Sequence, residues 1–108
     1  MRLLVVRSAQ AKPREWMGVR FEILATGSRA MVTKMLYESH NQGFLHQHPN
    51  EQSGYVISGR YRLTVDDRTY ELAPGDSYSI PADTDHSIAV LEAGHVIDVF
   101  TPPRDEFR

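Results

Sequence analysis

The segment GFLHQHPNEQ, residues 43–52, carries two histidines separated by one residue, His46 and His48, and Gln52 four positions after the second. Side chains at positions i and i+2 of a β-strand point to the same face of a sheet. If the segment is a strand, both imidazoles and the Gln52 amide therefore project in one direction. The pattern predicts a cluster of nitrogen and oxygen donors.

A third histidine, His86, ends the segment GDSYSIPADTDH, residues 75–86, and must arrive from a different strand. Three imidazoles and one amide oxygen that converge inside a barrel form a good site for a divalent metal ion. A pair of the form His-x-His also occurs by chance, and a single strand histidine is more often a hydrogen-bonded or surface residue. The metal site therefore requires that His86 meet the pair.

Outside these segments the chain alternates apolar and polar residues with period two, with turns every eight to twelve residues and no evident amphipathic helix. This pattern favours an all-β barrel or sandwich of eight to ten short strands. The polar, proline-containing residues 8–15 are predicted to form a loop or short turn. The predicted strands cover residues 2–7, 19–25, 31–38, 55–57, 60–65, 68–72, 78–80, 86–90 and 96–100.

The chain has 108 residues, the size of one domain, and no cysteine. Any metal must therefore be held by histidine, carboxylate, amide or backbone oxygen. A net charge of −2 without a basic block argues against nucleic-acid binding. The apolar run at residues 3–6 is too short for a signal sequence or a membrane span, so we expect a cytoplasmic protein without nucleic-acid or membrane partners.

The spacing of these residues resembles the two motifs of the cupin superfamily, G-x5-H-x-H-x3,4-E-x6-G and G-x5-P-x-G-x2-H-x3-N. The first motif ends at Gly59, the second begins at Gly75, and fifteen residues separate the two glycines. The resemblance implies a cupin double-stranded β-barrel of the jelly-roll type, with little or no helix. The single domain 1–108 then has three parts: N-terminal strands and a loop at 1–28, the barrel core at 29–101, and a C-terminal tail at 102–108.

The sequence departs from the cupin pattern at several positions. Gln52 replaces the motif glutamate, Glu51 lies one position early, Gly43 lies three residues closer to the histidines, and the second motif has Asp83 and Val90 where glycine and asparagine are usual. Strand parity favours Gln52 as the ligand, although a β-bulge would bring Glu51 to the same face. Neutral histidine and glutamine ligands leave the full charge of a divalent ion uncompensated, which favours Lewis-acid chemistry.

Two further segments, 51–59 and 96–107, resemble the pectin-degradation cupins of the KdgF type. Those proteins open unsaturated uronate monosaccharides to the linear keto form. The resemblance implies a lyase- or isomerase-like enzyme for an unsaturated uronate or a similar oxo-acid, with one divalent ion of Zn, Ni, Mn, Fe or Co as cofactor. It assigns the catalytic role to Asp98 and the metal to four residues: His46, His48, Gln52 and His86.

The period-two pattern of the last core strand leaves two alternatives for Asp98. It faces the barrel with Phe100, or it is solvated while the opposite face is buried. A uronate also needs a carboxylate anchor, for which Arg104 and Arg60 are candidates because guanidinium pairs with carboxylate. Arg60 shares a strand face with Arg62, and for this pair a solvated outer face is the favoured interpretation. Tyr37 and Phe100 are candidates to line the pocket, although core packing is the default for such residues.

Two other functions fit the same residues. A metal-dependent dioxygenase would use the same ligands and consume dioxygen, whereas a non-catalytic cupin would bind a sugar or small ligand without forming a product. We expect a small-molecule ligand in each case. We also expect a homodimer, in which a strand at Leu3–Val6 adds to the edge of the partner's sheet.

Overall fold

The computed structural model describes residues 4–41, 43 and 45–108. These residues form antiparallel strands and two three-residue 3₁₀ segments, Ser8–Gln10 and Asp105–Phe107, which confirms the all-β prediction. No helix in these ranges is long and apolar enough to cross a membrane. The nine strands found there are β1 (Lys12–Trp16), β2 (Val19–Thr26), β3 (Met31–Tyr37), β4 (Glu51–Val56), β5 (Arg60–Val65), β6 (Arg68–Leu72), β7 (Ser77–Ile80), β8 (His86–Glu92) and β9 (Gly94–Thr101).

The strands form a six-stranded sheet, in the order β1-β2-β3-β9-β4-β7, and a three-stranded sheet, in the order β6-β5-β8. Strands β3 and β4 bury every second residue along their whole length, and in β3, as the period-two pattern predicts, the buried residues are Met31, Thr33, Met35 and Tyr37. The core joins the two sheets, since the ring of Tyr37 lies 5.3 Å from that of Tyr61 on β5. This interior face also carries the polar residues of the site.

The N-terminal part differs from the prediction. Residues 4–7 contain no strand, and Leu4 and Val5 are exposed, while residues 1–3 lie outside the described ranges. The predicted loop at 8–15 instead contains a 3₁₀ turn and most of β1. Pro13 is accommodated because β1 is an edge strand, where a missing N–H interrupts no ladder. The homodimer remains a prediction, but residues 4–6 do not form the strand assigned to it.

The segment with the His-x-His pair is not a regular strand. His46 pairs with His86 in an isolated bridge, outside any regular strand. The next strand, β4, begins after the histidines at Glu51, four residues before the predicted start at Tyr55. Pro49 lies between the histidines and β4, and its missing N–H and fixed φ disfavour a continuous ladder there. The rule that residues two apart share a face therefore applies to Gln52 within β4, but not to the His46–His48 pair.

Candidate metal centre and its cavity

Three histidines meet inside the barrel. One ring nitrogen from each of His46, His48 and His86 can be chosen so that all three lie within 4.8 Å of one another. The ring of His86 lies 4.3 Å from that of His46 and 4.8 Å from that of His48, centroid to centroid. His48 and His86 are buried and His46 is half-buried. The cluster is therefore a set of donors that one ion could share.

Backbone contacts hold the histidine segment against β8. The N–H of His46 donates to the carbonyl of His86 at 3.0 Å, and the N–H of His86 donates back at 2.9 Å. The N–H of Gly43 donates to the carbonyl of Ile88 at 2.8 Å, and a Cβ at Gly43 would lie 2.5 Å from that carbonyl oxygen. The glycine therefore permits the close approach that brings the first two histidines to the third.

The hydrogen bonds of two histidines fix which nitrogen faces the cluster. Nδ1 of His48 lies 2.9 Å from the carbonyl of Asn50, and Nδ1 of His86 lies 2.8 Å from the carbonyl of Thr84. A carbonyl only accepts, so both Nδ1 atoms carry hydrogen. Burial lowers the pKa of His86 to about 4 and also lowers the pKa of His48, which keeps both rings neutral near pH 7. Their Nε2 atoms are then bare acceptors, the state in which imidazole binds a metal.

The position of Gln52 also fits a cation. Its Oε1 lies 3.2 Å from Nε2 of His48, so two acceptors face each other. The buried Nε2 of His86 has no hydrogen-bond partner. Lone pairs that converge in this way repel one another unless a positive charge lies between them. Glu51 is exposed on the opposite face of β4, and Gln52 is buried at the cluster.

Asp98 faces the barrel interior on β9 and is 1% exposed. The hydroxyl of Tyr78 donates to its Oδ1 at 2.6 Å, and the side-chain amide of Gln52 acts as a second donor that lowers the pKa of the carboxyl group. Burial raises the pKa of Asp98 to about 6, against the opposing effect of these two hydrogen bonds. Burial and the charge of Asp98 raise the pKa of Tyr78 well above its ordinary value, so Tyr78 remains a donor.

A cavity is lined by His46, Gln52, His86 and Asp98, and its empty space is about 660 Å³ when the open solvent at its mouth is included. Of the predicted substrate-contacting residues, Tyr37, Phe100 and Arg104 line this cavity. Arg60 does not line it: it lies at the start of β5 with an exposed side chain, because it has the parity opposite to the buried Tyr61.

The C-terminal tail holds Arg104 in the cavity wall. Arg104 is 5% exposed, and its guanidinium lies 4.1 Å from the ring centroid of Phe107 and 5.3 Å from that of Phe100. Its Nη2 pairs with Oε1 of Glu106 at 2.6 Å. The cation is therefore fixed by aromatic faces and one carboxylate rather than free in solvent.

Sequence reasoning missed several residues of this site. Trp16 and Phe107 line the cavity, Glu106 pairs with Arg104, and Tyr78 contacts Asp98. The sequence feature that could have pointed to Tyr78 is Gly54, because a glycine inside a strand often marks the close approach of another group.

The fold and this cluster define a class, that of small β-barrel domains with a histidine-lined cavity. Residues 34–100 match the cupin domain family, and the chain belongs to this family. It is similar to an RmlC-like cupin from Shewanella frigidimarina, with a TM-score of 0.88 and 26% identity over 96% of this chain and 95% of that one. It is also similar to KdgF from Halomonas sp., with a TM-score of 0.85 and 28% identity over 94% and 97% of the two chains. The predicted resemblance to small cupins, KdgF included, is confirmed.

A curated relative is the HTH-type transcriptional regulator PuuR of Escherichia coli. It is 29% identical over 91 residues, which is 79% of this chain and 49% of the relative. The chain thus spans about half the length of the curated relatives it matches.

Proposed function

We propose that this cupin is a metal-dependent enzyme that opens the ring of an unsaturated uronate or a similar sugar acid to the linear keto form. The observation that carries the proposal is the meeting of a histidine cluster, a buried carboxylate and a buried guanidinium in one cavity. The resemblance to the KdgF type supplies the substrate class.

The proposed reaction is an isomerisation, so no atom is gained or lost. The anomeric hydroxyl loses its proton and becomes the C1 carbonyl, the bond between C1 and the ring oxygen breaks, and the ring oxygen leaves as an enolate, which becomes a ketone when that one proton is returned to carbon 4. A divalent ion at His46, His48, Gln52 and His86 would polarise a substrate oxygen. Asp98 accepts and returns the proton, for which its pKa of about 6 is suited. Arg104 would pair with the substrate carboxylate.

The test is to load the purified protein with Zn²⁺, add an unsaturated uronate monosaccharide and follow the loss of the double-bond absorbance. Wild type should consume the substrate, and His48→Ala and Asp98→Ala should lower the rate by about 100-fold or more. His40→Ala is the matched control, because His40 is exposed and lies outside the cluster. Turnover that is unchanged in Asp98→Ala would refute the role given to that residue.

Ligand binding without turnover is a second candidate, favoured by the match to a transcriptional regulator. It predicts that calorimetry detects saturable binding of a sugar acid while no product forms. Product formation by the metal-loaded wild type would rule it out.

A further inference from the structure

Tyr78 and Asp98 lie on strands that do not pair with each other. In the six-stranded sheet β4 separates β7 from β9, and the register places Gly54 opposite both Tyr78 and Asp98. The Tyr78 hydroxyl nevertheless reaches Oδ1 of Asp98 at 2.6 Å. The side chain must therefore cross over the middle strand.

Gly54 makes this crossing possible. A Cβ at this position would overlap the ring Cζ and the hydroxyl of Tyr78, and it would lie 2.6 Å from Oδ1 of Asp98. Any other residue would force Tyr78 or Asp98 to move. A glycine inside a strand is destabilising relative to alanine. Its presence here is explained by the contact that it permits.

Gln52 lies two residues before Gly54 on the same buried face of β4, diagonal to Asp98 on β9. Its side-chain amide lowers the pKa of Asp98 as a hydrogen-bond donor to the carboxylate. An ionised carboxylate only accepts, so it selects the NH₂ end of that amide and turns Oε1 the other way. This is the orientation observed, with Oε1 3.2 Å from Nε2 of His48. Without an acceptor at this place, either end of the amide could face the histidines, and an amide NH₂ has no lone pair to offer a metal.

We infer that Tyr78 is a positioning residue for the metal centre: reaching over Gly54, it anchors Asp98 so that the Gln52 oxygen, and not its nitrogen, faces the three histidines. This inference rests on the metal site of the proposed function but not on its substrate. Loss of a hydrogen-bonding group behind a metal ligand commonly weakens affinity 10- to 100-fold. We expect Tyr78→Phe to weaken zinc binding by about tenfold.

The experiment is a double-mutant cycle between Tyr78→Phe and Gln52→Leu, with zinc affinity measured by competition with a chromophoric chelator. If Tyr78 acts through Gln52, Tyr78→Phe weakens binding in the wild-type background and has no further effect in the Gln52→Leu background. The absorption spectrum of bound Co²⁺ should change in Tyr78→Phe, because the oxygen ligand is no longer held. Gly54→Ala, which keeps every functional group but separates Tyr78 from Asp98, should behave as Tyr78→Phe does.

Tyr61→Phe is the matched control, since its buried hydroxyl donates to the carbonyl of Ser58, outside this cluster. It should leave zinc affinity and the Co²⁺ spectrum unchanged. Unchanged affinity in Tyr78→Phe, an equal loss in both backgrounds, or a wild type that binds no zinc would each overturn the inference. If the cycle gives the expected coupling while no uronate is consumed, the inference stands and the proposed function fails.

Discussion

Phe107 closes the cavity from the C-terminal tail, and its removal is the most direct test of how that tail contributes to the fold. The side chain is 2% exposed, although it comes from a three-residue 3₁₀ segment one position from the end of the chain. Its ring lies 4.5 Å from that of Phe21 and 5.5 Å from that of Phe100. The Arg104 guanidinium also lies over the Phe107 ring, 4.1 Å from its centroid. We expect Phe107→Ala to destabilise the whole domain.

Truncation of a buried phenylalanine to alanine costs about 3–5 kcal/mol. Phe107 borders an open cavity, so water can enter the space left by the ring, and we expect the lower end, about 3 kcal/mol. The loss should be measured as the free energy of unfolding from urea titration at fixed zinc. For a domain of this size the thermal midpoint should also fall by more than about 10 °C.

Leu91→Ala is the control, because Leu91 is 41% exposed and its truncation should change the free energy of unfolding by less than about 0.5 kcal/mol. Phe107→Leu should recover most of the loss by refilling the volume. A Phe107→Ala protein within about 1 kcal/mol of wild type would show that the tail is not part of the core and would refute this reasoning.

Three other outcomes follow from the site. At a zinc concentration about 100 times the dissociation constant, bound metal should add about 2.7 kcal/mol to the free energy of unfolding, so a chelator should lower the thermal midpoint of wild type but not of His86→Ala; an equal shift in both would contradict the assigned ligand. Gln52→Leu should weaken zinc affinity while Glu51→Ala, at an exposed position, leaves it within twofold; the reverse order would make Glu51 the ligand. Arg104→Lys should raise KM for the uronate about tenfold with a smaller change in kcat, because lysine lacks the bidentate fork; an unchanged KM would remove Arg104 from the substrate site.

Strands with one buried face were readable from the sequence because burial imposes the alternation. β2, β3 and β5 each bury every second residue over part or all of their length, and all three were predicted. β1 was missed because each of its residues is exposed, so neither face is selected for apolar side chains. The position of β1 is determined by its pairing with β2, and this pairing cannot be deduced from the composition of the segment.

In the site, too, the residues that were predicted depend on local spacing, and those that were missed depend on how distant strands pair. The histidines and Gln52 follow from spacing within two short segments. The contact between Tyr78 and Asp98 depends on two successive strand registers, and each register becomes known only when the whole sheet is assembled. Arg104 was predicted as a candidate carboxylate anchor, but the ring that packs on it, Phe107, is three residues further on and gave no periodic signal.

His86, which the proposed metal site needs, has a ring nitrogen, Nε2, that destabilises the metal-free fold. Within the ranges that the structure describes, Nε2 of His86 is the buried side-chain nitrogen or oxygen left without a hydrogen-bond partner. An unsatisfied buried polar atom costs about 1–3 kcal/mol, and the facing acceptors of His48 and Gln52 add repulsion. A single substitution to an apolar residue would remove that cost, so the fold alone gives no reason for this histidine. A cation at the cluster would satisfy all of these lone pairs together, and this supports the proposed metal site.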